Sequence, residues 1–76
     1  MNDDDMDMMV HLLAVAKERY DGHLTIMRFT TNWRVDFYQP QDRDQIKAMP
    51  CGATLTEAGA AALQAAGLRE HPLEAD

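Results

Sequence analysis

Cys51 stands between Pro50 and Gly52, the histidines are His11, His23 and His71, and four carboxylates (Asp3, Asp4, Asp5 and Asp7) crowd the first turns of the chain. These side chains bound the chemistry open to the protein. A cysteine acts as a nucleophile through its thiolate, which needs a neighbouring base or the positive end of a helix to form at neutral pH. Cys51 precedes a predicted helix, but no histidine accompanies it in sequence. The histidines lack the H-x₃₋₅-H spacing of a zinc site, and no paired cysteine motif completes one. The aspartates resemble the start of a calcium loop but lack its central glycine and distal glutamate. No glycine-rich phosphate loop is present. The expectation is a non-enzymatic chain with no catalytic residue, metal or cofactor, acting by binding.

Two groups of residues are candidates for that binding. The first lies on the opening helix, predicted over residues 4–20 from the absence of Gly and Pro, the acidic first turn and Lys17 and Arg19 near its end. Gly22 is its expected left-handed terminator. At helical spacing Met6, Met9, Val10, Leu13, Ala16 and Tyr20 form one apolar stripe, read as the core face, and Met8, Leu12 and Val15 form a second beside it. The combined arc is wider than packing against one layer requires. The second stripe is therefore read as a partner-binding patch or homodimer seam, with burial beneath the chain's own second helix or tail as the alternative. Asp3, Asp4, Asp5 and Asp7 extend it as an acidic contact surface.

The second group comes from a β-hairpin. Residues 23–29 and 33–38 are rich in β-branched and aromatic side chains, with Thr30, Thr31 and Asn32 as turn residues between them. A three-residue loop with Asn32 at positive φ pairs Phe29 with Trp33 and Met27 with Val35. Met27, Phe29, Trp33, Val35 and Phe37 then share the buried face, and Arg28 and Arg34 stand opposite each other on the outer one. Two adjacent arginines suit an anionic or acidic contact, helped by Tyr38 and Lys47. A two-residue loop would pair Ile26 with Phe37 instead, flip the first strand and leave Trp33, Val35 and Phe37 in place.

Pro40 ends the second strand. Residues 42–49 form a polar connection containing a short helical turn or a brief strand. Thr54-Leu55-Thr56-Glu57 is a capping box that opens a second helix, expected to end at Gly67 with Leu68 packing back on Leu63. Its body is nearly all Ala and Gly, so it permits very close approach to a neighbour. The fold expectation is one α+β domain over residues 1–76 in the order α-β-β-α. Both helices lie on one face of the hairpin, and residues 1–7 and 69–76 fray. A lone hairpin is marginal in water, so a sheet enlarged by dimerisation is the alternative.

Net charge −6 argues against direct nucleic-acid binding, which requires clustered Lys and Arg. The charge is segregated. Residues 1–10 carry four acids and no base. Residues 17–47 carry six bases against five acids, and the segment from Glu57 carries four acids against Arg69. A lone cysteine excludes an internal disulfide and fits a reducing, cytoplasmic setting, and no apolar run suits a membrane span.

Gly52-Ala53-Thr54-Leu55-Thr56-Glu57-Ala58 resembles the G-x-T-x-x-E-A helix entry of HicB-like antitoxin domains, a likeness of seven residues that implies a dimeric regulatory protein. In overall character, and in the run 25–35, the chain is similar to small proteins encoded by phages and mobile elements, anti-CRISPR inhibitors among them. That likeness implies stoichiometric inhibition of a basic, nucleic-acid-handling effector, by covering its nucleic-acid site or mimicking phosphate charge.

Overall fold

The computed structural model describes residues 2–70, with only the backbone described for 68–70. The elements run α1 (Asp3–Arg19), β1 (Thr25–Arg28), β2 (Trp33–Asp36), α2 (Arg43–Ala48), β3 (Cys51–Gly52) and α3 (Leu55–Glu70). The chain is an α+β fold with the expected helix–hairpin–helix order. The 42–52 connection adds both a short helix and a third strand.

α1 begins at Asn2, whose side chain accepts the Asp5 N–H at 2.8 Å, satisfying a donor that the first turn leaves unpaired. Its end is set by two consecutive left-handed residues, Asp21 (φ 57°) and Gly22 (φ 84°). The Gly22 N–H returns to the Ala16 carbonyl at 2.8 Å, beside that of Tyr20 at 2.9 Å. The acidic start is capped, and Asp5 is anchored to the far helix: the Thr56 N–H and hydroxyl donate to Asp5 Oδ1 at 2.9 and 2.5 Å.

The sheet is antiparallel in the order β1-β2-β3. Thr25 pairs with Asp36, Ile26 with Val35, Met27 with Arg34 and Arg28 with Trp33. This is neither the three-residue-loop register nor the one that pairs Ile26 with Phe37. Asn32 does not take a positive φ; instead the Phe29 N–H donates to the Asn32 carbonyl at 2.7 Å and Thr30 and Thr31 form the tip. Moving the register by one residue exchanges the faces of β1. Leu24 and Ile26 therefore join Trp33, Val35 and Phe37 on the helix side, and Met27 and Phe29 face away. The core face expected for β2 holds, with Val35 and Phe37 fully buried. The new strand β3 sets Gly52 against Trp33 and Cys51 against Arg34.

Asp42 caps α2 by accepting the Gln45 N–H at 2.9 Å, and Gln45 Oε1 accepts the Gln41 N–H at 2.6 Å. The Asp-x-x-Gln spacing is itself a capping signal. α3 opens at its predicted cap, with the Glu57 N–H on Thr54 Oγ1 at 3.1 Å. The Glu57 carboxylate reaches the Ala53 N–H, one residue before the cap, at 3.1 Å. The helix does not stop at Gly67, which has no left-handed φ, and runs on to Glu70. A glycine inside a helix costs only about 1 kcal/mol relative to alanine, too little to end it. The remainder of the expected frayed tail, 71–76, lies outside the described residues.

α3 lies directly on β2 and β3, and α1 packs along α3. Small side chains allow this closeness. A Cβ on Gly52 would stand 2.5 Å from Glu57 Cβ and 2.6 Å from the Ala58 nitrogen; one on Gly59 would stand 2.5 Å from Met8 Cγ. Leu12, Ala16, Val35, Phe37, Leu55, Ala58, Ala62 and Ala66 form the buried cluster, with Tyr20 stacked on Phe37 at 4.6 Å.

Candidate functional site

The two stripes of α1 exchange roles. Leu12 is fully buried, and Met8 and Val15 pack half-buried against the same cluster, with Met8 seated over Gly59. These three residues hold α1 to α3 and do not form an open docking patch. Of the stripe read as core, Ala16 is buried and Met9 and Tyr20 are half-buried, but Met6, Val10 and Leu13 are 55, 67 and 53% exposed. The reason is the partner helix. α3 presents Ala58, Gly59 and Ala62, a narrow surface that covers only the side chains directly above it. The wide arc does leave an apolar ridge uncovered, on the other stripe.

The four aspartates divide as well. Asp5 is half-buried and spent on Thr56, at the N-terminus of α3 where a carboxylate satisfies an unpaired backbone donor. Asp3, Asp4 and Asp7 are exposed, and Asp3 and Asp7 border the Met6–Val10–Leu13 ridge.

Arg28 and Arg34 do not meet. In the observed register they lie on opposite faces of the sheet. Arg28 is exposed, its guanidinium 5.5 Å from the centre of the Trp33 ring across the strand pair. Arg34 is half-buried and built into the frame: its Nη1 donates to the carbonyls of Ile46 and Lys47, both at 3.0 Å. Those are carbonyls of the last turn of α2, and that of Ile46 also accepts the Met49 N–H at 3.1 Å, so Arg34 adds a C-terminal cap supplied from another element. The same guanidinium lies 5.7 Å from the centre of the Phe29 ring.

That cap builds a feature the residue spacing did not reveal. It pins α2 beside the sheet face turned away from α1 and α3, and a groove of about 580 Å³ opens between α2 and the hairpin. Met27, Phe29 and Ile46 supply its apolar surface. Arg34, Arg43 and Lys47 supply its charge, Thr30, Thr31 and Asn32 close one end, and among the described residues no acid lines it. Among the described residues no ion pair engages Arg43 or Lys47. In a chain of net charge −6 this is a local reversal of sign. The register decides it, because only this pairing turns Met27 and Phe29 to the same side as Arg34. The sequence signal available was the Asp42-x-x-Gln45 cap, which fixes α2 and hence the spacing of Arg43 and Lys47 on consecutive turns.

Cys51 is exposed in β3, and His11 and His23 are exposed and apart; His71 lies outside the described residues. Among the described residues no three His, Cys, Asp or Glu side chains gather to hold a metal ion, and no helix is long and apolar enough to cross a membrane. No protein-family model matches the chain, and neither a curated protein nor a solved structure is found that resembles it.

Proposed function

We propose that the chain is a non-enzymatic protein-binding module, a stoichiometric inhibitor or adaptor, that grips an acidic segment of its partner in the groove between α2 and the hairpin. The observation that carries this reading is the composition of the groove: three cations, an aromatic and two aliphatic side chains, and no acid among the described residues. A carboxylate-rich segment with one Leu or Phe matches it. The apolar side chain would cover Met27, Phe29 and Ile46, contributing about 1.5–3 kcal/mol for full burial. Each exposed carboxylate–cation pair adds about 1 kcal/mol or less. Such sums reach about 6 kcal/mol at most, which corresponds to dissociation constants of tens of micromolar at the tightest and millimolar or weaker otherwise, suited to a reversible regulator.

A second reading rests on the exposure of Asp3, Asp4 and Asp7. These carboxylates would mimic phosphate charge toward a basic, nucleic-acid-handling effector, in the manner of a charge-mimicking inhibitor. The two readings demand partners of opposite charge. Affinity capture with the wild type, an Arg43→Glu/Lys47→Glu variant and an Asp3→Lys/Asp4→Lys/Asp7→Lys variant separates them. Loss of the partner with the groove variant alone supports the first reading. Loss with the α1 variant alone overturns it in favour of the second.

A further inference from the structure

The exposed ridge of α1 has an order that fits a second copy of itself. Asp3, Met6, Val10, Leu13 and Lys17 follow one another at alternating spacings of three and four, so they form a single seam along one side of the helix. All five are exposed, and the three apolar members are the most open large hydrophobic side chains of α1. The seam is acidic at one end, basic at the other and apolar between, and Val10 is its midpoint. Asp3 and Lys17 have no ion-pair partner among the described residues.

We infer that two copies of this chain associate through α1 as an antiparallel helix pair with the two-fold axis at Val10. A dyad there places Val10 against Val10 of the second copy, Met6 beside Leu13 of the second copy, and Asp3 against Lys17 of the second copy, twice by symmetry. The ends match because Asp3 and Lys17 lie fourteen residues apart, about 21 Å of helix, in both copies. A parallel pair would set Asp3 against Asp3 and Lys17 against Lys17 and is disfavoured by repulsion at both ends. The contact is isologous and closes on itself. It leaves the groove between α2 and the hairpin open on each copy, since that groove lies on the other face of the sheet. The seam is short, with three apolar side chains per copy, so the dimer is weak and depends on concentration.

Sedimentation velocity of the full chain over a concentration series tests this. The expected result is a shift from the monomer mass of 8.6 kDa toward twice that value. Val10→Asp should weaken association by about tenfold or more, on the scale of one lost apolar anchor. It should leave the circular-dichroism melt unchanged, since Val10 is exposed. Asp3→Lys alone should weaken the dimer, and Asp3→Lys with Lys17→Asp should restore it. A monomer at every concentration overturns the proposal. A dimer indifferent to Val10→Asp overturns it too and points instead to the open edge of β1. Failure of Asp3→Lys/Lys17→Asp to recover association rejects the antiparallel geometry.

Discussion

Replacing Asp5 by alanine isolates a long-range polar tie between the two long helices. Asp5 Oδ1 accepts two hydrogen bonds from Thr56, 51 residues away, at 2.9 and 2.5 Å. In the Asp5→Ala variant the Thr56 N–H, already beyond the reach of any carbonyl within α3, is left half-buried without its acceptor. A hydrogen bond to a charged group contributes about 1.5–3 kcal/mol, and a carboxylate beside a helix N-terminus a further 0.3–1 kcal/mol. Water reaches part of this site and recovers some of the loss, so the expected destabilisation is about 2 kcal/mol. For a domain of this size that lowers the melting midpoint by about 8–16 °C. Asp5→Asn keeps one acceptor oxygen and should lose about half as much. Asp4→Ala, on the exposed side of the same turn, should stay within about 0.5 kcal/mol of wild type. Urea and thermal melts by circular dichroism measure all three. Equal stabilities for Asp5→Ala and Asp4→Ala would refute the assignment of Asp5 as a structural carboxylate.

Two glycines of α3 should respond with opposite sign. Gly67→Ala meets open space and should gain up to about 1 kcal/mol in helix propensity. Gly59→Ala drives a methyl into Met8 and Leu12 and should lose about 1–3 kcal/mol by overpacking, with Met8→Ala in the same chain relieving part of the strain. Arg34→Met removes the cap on α2. Amide exchange of residues 43–49 should then accelerate more than that of α1 or α3, and uniform acceleration over all elements would contradict a local capping role.

Much of this architecture is legible in the residues because local chemistry writes it. Asn2 and the acids mark the start of α1, Gly22 its end, Thr54 the start of α3, and the alternation Trp33, Val35, Phe37 the buried face of β2. What escapes depends on contacts between distant segments. The hairpin register turns on whether Asn32 adopts a positive φ, and Thr30 with Thr31 close the tip without it. Which stripe of α1 is buried is settled by the narrow Ala and Gly surface of α3, not by the hydrophobicity of either stripe. Val10 and Leu13 are as apolar as Met8 and Leu12. The groove is less legible still, since it requires the register, the cap on α2 and the Arg34 crosslink together. Of the residues singled out from sequence for an anionic contact, Arg34 and Lys47 border it, and Arg28 and Tyr38 do not.

The proposed occupant of this groove is an acidic, apolar-anchored segment. Titrating the ¹⁵N-labelled chain with an acetylated peptide of Asp and Glu around one Phe, and with its Lys-substituted counterpart, tests this directly by amide chemical shifts. Saturable shifts confined to residues 27–34 and 43–47 are expected with the acidic peptide alone, abolished by Arg43→Glu/Lys47→Glu. Shifts along α1 with the basic peptide, and none in the groove with the acidic one, would contradict it.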